Sequence, residues 1–330
     1  MPKKILSLLL TLVLAFSLCL PASAAAAPEA SPREAAAAAY GALFDKNELE
    51  ANTKNAKIIW LLSFDTAYKA LGETFLLATK DDASAEAKGY GLGIASNLGQ
   101  DASAYAAALD TLTKKDVAAL NPYTLANLTI IAGKSGLAKD FRKKAAEALR
   151  TYYDAEAGQF LLWGSPDYSS ADDQALCLVA LCAIGDPKNV AERFPGAIAA
   201  LQMARSDSGY LNFGSANAST TALAAAAYAA LGKETEANEA FTLLSSFRHE
   251  DGAYLAHLGD SQSDLAFATA DALLALTLSD SSLTAPAEQA PTNAADGQPA
   301  YLWPLITILC VVVVAVLLAV ILIRRNKRES

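Results

Sequence analysis

The chain has 330 residues, with 26 basic and 35 acidic side chains, a formal net charge of −9 and a hydrophobic share of 53%. That balance excludes nucleic acid as a partner, because neutralising phosphates takes a basic face. Once the ends are set aside, about 250 residues remain, enough for one large domain or two small ones.

The first expected element is a secretory signal peptide over residues 1–26. Lys3 and Lys4 precede an uncharged run from Ile5 to Leu20, and Pro21 with Ala22, Ser23 and Ala24 supplies the small residues of a cleavage site between Ala24 and Ala27. A lipoprotein anchor at Cys19 is disfavoured by the bulk of Leu18. Residues 27–300 keep 20 of the basic and 34 of the acidic side chains, so the exported part is strongly acidic.

Residues 27–279 form the exported domain, which reads as helical almost throughout between about 32 and 278, since Ala and Leu abound and no segment alternates convincingly like a strand. Residues 170–184 and 217–231 are apolar nearly all round, as buried helices must be. Phe141, Ala145 and Leu149 recur on one face, as do Ala237, Phe241, Leu244 and Phe247 after Gly232, which marks covering helices. The expected arrangement is all-α, an inner ring sheathed by an outer one.

Three stretches, Phe141–Gly185, Pro195–Gly232 and Phe241–Leu276, repeat the order amphipathic helix, acidic Gly-aromatic loop, apolar helix. The loops end on Gly158-Gln159-Phe160, Gly209-Tyr210 and Gly252-Ala253-Tyr254, and glycines 51 and 43 residues apart suit helix-pair repeats. Ser170 with Asp173, Asn217 and Ser261 are expected to cap the following helices. Cys177 and Cys182, five apart on one helix, are too far separated to bridge and read as small buried hydrophobes.

Residues 280–300, with Pro286, Pro291 and Pro299, form a flexible stalk. Residues 301–323 follow as a membrane-spanning helix: Tyr301 and Trp303 suit the interface, and Leu305–Ile323 is uncharged over a length that crosses the hydrocarbon layer. Arg324, Arg325, Lys327 and Arg328 in the tail, residues 324–330, place the C-terminus in the cytoplasm and the domain outside the plasma membrane.

Leu201-Gln202 ahead of Asp207-Ser208-Gly209-Tyr210, and Phe241 ahead of Asp251-Gly252-Ala253-Tyr254, resemble the Gln, acidic, Gly, aromatic repeat of the terpenoid cyclases and protein prenyltransferases. The resemblance covers roughly residues 121–278 and implies an α/α toroid. It does not carry the family's chemistry. The cyclases' acidic motif is incomplete at Ala171-Asp172-Asp173, and His249, His257, Cys177 and Cys182 show no metal-ligand spacing. The thioester stretch of related complement-like domains is missing as well, and no cofactor is implied.

The expectation is therefore a binding or interaction module with no catalytic residues. Tyr153, Phe160, Trp163, Tyr168, Tyr210, Phe213 and Tyr254 cluster in the repeat loops as candidate ligand contacts, suited to a glycan, a peptide or a corrinoid-like molecule. The bland reading of these rings is that they seal helix ends. An enzyme acting on a glycan or peptide through Asp172, Asp173 or Asp251 is the alternative, and a structural spacer is the third.

Overall fold

A computed structural model describes residues 30–45, 50–260 and 265–280, all within the compact unit Met1–Pro286. The signal peptide, the spanning helix, the tail and the stalk beyond Asp280 lie outside the described residues. Among those described, no helix is long and apolar enough to cross a membrane.

The described chain is mostly helical, as expected. Its helices are α1 (Pro32–Asp45), α2 (Ala56–Leu62), α3 (Lys69–Ala78), α4 (Ala85–Asn97), α5 (Ser103–Thr111), α6 (Lys114–Ala118) and α7 (Pro122–Ser135). They continue as α8 (Lys139–Thr151), α9 (Ala171–Ile184), α10 (Pro187–Arg193), α11 (Pro195–Met203), α12 (Ala218–Ala230), α13 (Glu234–Ser245) and α14 (Leu265–Ser279).

Local chemistry starts most of the long helices. Ser84 caps α4, Asn121 with Pro122 opens α7, and Asn217 caps α12 by accepting from the Thr220 amide. Ser170 and Asp173 form the expected capping box on α9.

Composition decides which helices lie deepest. From Asp173 to Leu181, α9 is buried without interruption, and α12 is buried from Thr220 to Tyr228. By contrast, α8 buries only Phe141, Ala145, Ala148 and Leu149, its apolar stripe.

The deep helices contact one another in sequence: α2 with α4, α4 with α7, α7 with α9, α9 with α12, and α12 with α14. The last of them returns to the first, since α14 packs on both α1 and α2. The one-sided helices lie against this series, α3 on α4, α8 on α7 and α9, α11 on α9, and α13 on α12.

The repeat loops depart from the all-helical expectation, because they are β-hairpins. Strands β1 (Tyr153–Asp154) and β2 (Gln159–Phe160) pair with Tyr153 opposite Phe160. Strand β4 (Gly209–Asn212) pairs with β3 (Arg205–Ser206), Arg205 opposite Tyr210, and with β5 (Ser215–Ala216), Asn212 opposite Ser215. Arg248 bridges Tyr254 in the third copy. Two to four residues per strand leave too little alternation to read from the sequence.

One hydrogen bond recurs in all three copies. The backbone N–H of the loop aromatic donates to a polar side chain in the first turns of the next helix: Phe160 to Gln174 Oε1 (2.8 Å), Tyr210 to Thr221 Oγ1 (2.9 Å) and Tyr254 to Thr269 Oγ1 (2.9 Å). Gln174, Thr221 and Thr269 are all buried, so each serves a backbone group that water does not reach.

Candidate functional site

The hairpins sort the candidate aromatics into two groups. Phe160, Tyr210 and Tyr254 are at most 2% exposed, which removes them from any ligand surface. Their rings seal helix ends: Phe160 lies 5.1 Å from Phe194 and Tyr210 lies 6.1 Å from Tyr228, centroid to centroid. Tyr153 is half-buried, edge-on to Phe160 at 5.2 Å and to Phe194 at 4.9 Å, and belongs with them.

Trp163, Tyr168 and Phe213 are exposed by 52, 64 and 74%. Phe213 and Gly214 form a two-residue hairpin tip with φ of 45° and 88°, the signs a type I′ turn requires. A left-handed phenylalanine is costly where Asn or Gly would fit freely. The strained ring at an exposed tip therefore points to a use for it.

The acidic candidates separate as well. Asp173 is fully buried and committed to the capping box, and its Oδ1 accepts from the Tyr123 hydroxyl at 2.7 Å. Burial raises its pKa, opposed by Tyr123 and then Ser170. It is a structural acid. Asp251 is exposed on the third loop, where burial raises its pKa but the Ala253 amide and the His249 ring, 3.0 Å away, together outweigh it and bring it below the usual range. It remains an ionised loop carboxylate.

Asp172 differs from both. Burial raises its pKa to about 6, the neighbouring Thr220 hydroxyl opposes the rise, and the charges of Asp271 and Asp173 add to it. Its Oδ2 accepts from Asn212 Nδ2 at 3.2 Å. Asp172 Oδ1, Asn212 Oδ1 and Thr220 Oγ1 are closed to solvent without a well-formed hydrogen bond among the described residues. The Thr220 hydroxyl nonetheless acts on Asp172 as a hydrogen-bond donor, so of the three oxygens Asn212 Oδ1 alone is left without a partner.

Two of the exposed rings stand on segments that adjoin this group. On one side the Trp163 ring lies 6.0 Å from that of Tyr123, whose hydroxyl holds Asp173, the neighbour of Asp172. On the other, Asn212 precedes Phe213 at the hairpin tip. Asp271, which acts on Asp172, lies on α14 and pairs with Lys57 of α2 at 3.1 Å. Residues from α9, β4, α12 and α14 thus act on one carboxyl.

Sequence reasoning missed Tyr123, Asn212, Thr220 and Asp271. A polar residue, Asn212, ahead of the Phe213-Gly214 tip was the only local signal, and the others become neighbours only through the fold. His257 is half-buried, and its Nδ1 donates to the Ala216 carbonyl at 2.8 Å, fastening the third loop to β5. Among the described residues no group of His, Cys, Asp and Glu could hold a metal ion. No protein-family model matches the chain, and no curated protein matches it.

Proposed function

We propose that residues 27–279 form an exported α/α toroid of the terpenoid cyclase and prenyltransferase repeat type, tethered to the plasma membrane, that binds a glycan at its hairpin end. The toroid reading is supported by the circuit of deep helices, in which α14 meets α1 and α2, and by the aromatic-to-helix hydrogen bond repeated at Phe160, Tyr210 and Tyr254. The tether rests on the uncharged run Leu305–Ile323 and the basic residues after it.

One observation carries the binding reading: the exposed rings of Trp163 and Phe213 on the hairpin segments, with the Asp172 carboxyl held by Asn212, the residue before Phe213. Oxygen acceptors call for donors, and aromatic faces call for an apolar ring face. A sugar offers both, hydroxyl hydrogens on its rim and C–H groups on its faces. A peptide or a corrinoid-like ligand is the poorer match, because neither presents hydroxyl donors and flat apolar faces together in so small a unit.

The test is a titration of the full chain in nanodiscs with neutral oligosaccharides and with peptides. Saccharide binding that Trp163→Ala weakens at least fivefold supports the reading. Peptide binding alone, or silence across the panel, overturns it.

The raised pKa of Asp172 favours a second reading, an enzyme that cleaves the bound glycan with Asp172 as general acid and Asp271 as the second carboxylate. Product formation lost in Asp172→Asn, with binding retained, would select it.

A further inference from the structure

The opposite ends of the same helices border a second space, open on one side to solvent. The last turns of α7, α9, α12 and α14 border a cavity of about 410 Å³, within the range of small-molecule sites. Its walls are apolar and mostly small, from Ile130, Val179, Ala183, Ala226, Ala229 and Leu278. Since α9 spans 14 residues, the cavity lies roughly 15–20 Å along the helices from Asp172.

One cation borders it. Lys134 lines the cavity, its Nζ is closed to solvent, and no hydrogen-bond acceptor reaches that nitrogen among the described residues. The ammonium sits 6.0 Å above the Phe64 ring. Asp280, whose charge is felt at Lys134, is engaged with Arg33 at 3.6 Å. Burial lowers the Lys134 pKa to about 8, against the Asp280 charge. Part of the cation's role is to offset the C-terminal end of α7, yet three N–H donors are left without partners.

A buried cation without a hydrogen-bond acceptor is expensive, and a ligand carboxylate removes the cost. The long stem of lysine lets the amine swing from the Phe64 ring onto a molecule in the cavity. We propose that this cavity is a second ligand site, separate from the hairpin end, which takes a small apolar monocarboxylate with its chain among the alanines and its carboxylate on Lys134. The other polar groups on the wall, Ser279 and the half-buried Cys182, are neutral, so a single anionic head finds a single cation.

Hexanoate is a suitable probe, with 1-hexanol and hexylamine as controls, and the full chain in nanodiscs as the receptor. Saturating hexanoate is expected to raise the thermal midpoint by several degrees, while the controls at equal concentration do not. Lys134→Met is expected to weaken hexanoate at least tenfold. Ala229→Phe, which keeps the lysine but fills the cavity from α12, is expected to abolish the shift. A wild-type protein indifferent to hexanoate, including one whose residues 281–300 already fill the space, overturns the proposal. Equal shifts with hexylamine, or an undiminished shift in both variants, overturn it too.

Discussion

Lys57 Nζ and Asp271 Oδ1 meet at 3.1 Å across 214 positions of sequence, joining α2, early in the described chain, to α14, its last helix. The pair is partly shielded, with side chains 33 and 19% exposed, which places its worth above that of a fully exposed ion pair. The contact also fixes the negative charge that faces Asp172.

Breaking that pair with Lys57→Met is expected to cost about 1–2 kcal/mol, because Asp271 is left half-buried without its cation. The double variant with Asp271→Asn is expected to recover part of the loss. Urea denaturation of the four proteins gives the coupling directly, and strict additivity would show that the ends of the series are not joined through this pair.

Asp172 makes the folded state sensitive to pH. Its folded pKa, about 6, exceeds the unfolded value of 3.8, so the native state holds the proton more tightly and stability falls as pH rises through the window from about 4 to 6. By the size of the shift the loss is about 3 kcal/mol at neutral pH. Asp172→Asn is expected to flatten that part of the profile and to raise stability at pH 7.5, with little change at pH 4. A variant as pH-dependent as the parent would place the effect elsewhere.

The buried side chains that serve the loop aromatics predict a graded series. Gln174→Leu orphans both the N–H and one acceptor contact of Phe160 and is expected to cost about 2–3 kcal/mol. Thr221→Val and Thr269→Val each orphan a single N–H at nearly constant volume and are expected to cost about 1–2 kcal/mol. Equal, negligible losses in chemical denaturation would mean that these bonds are not holding the hairpins.

Gly133 lets α7 and α9 approach. A Cβ there would run into the Ala183 backbone carbonyl oxygen, which cannot rotate away as a side chain could. Gly133→Ala is expected to lower stability by about 1–3 kcal/mol despite the better helix propensity of alanine. A neutral or stabilising result in a thermal melt would show that the two helices separate at no cost.

Much of the frame was legible in the sequence. The apolar runs at 170–184 and 217–231, the one-sided stripe of Phe141, Ala145 and Leu149, and the capping pair Ser170 and Asp173 are local patterns, and each reappears in the structure. The hairpins were not legible, because strands of two residues carry no period and their register depends on the helix that follows. The site was half legible. Exposure separates Trp163, Tyr168 and Phe213 from Phe160, Tyr210 and Tyr254, although all six are aromatics beside turns. Nor does spacing tell Asp172 from Asp173, which differ only in which side of one helical turn they face.

The central claim is that the hairpin end around Asp172 binds a glycan through its exposed rings. Its most direct measurement is the affinity of the full chain for a bound oligosaccharide before and after Phe213→Asn. Asparagine accepts the left-handed conformation at the tip, so the hairpin is expected to persist and stability to hold or rise by about 1 kcal/mol, while the ring is lost. The account predicts at least a tenfold weaker Kd with an unchanged or higher thermal midpoint. An unchanged Kd, or no oligosaccharide bound by the wild-type chain at all, would contradict it.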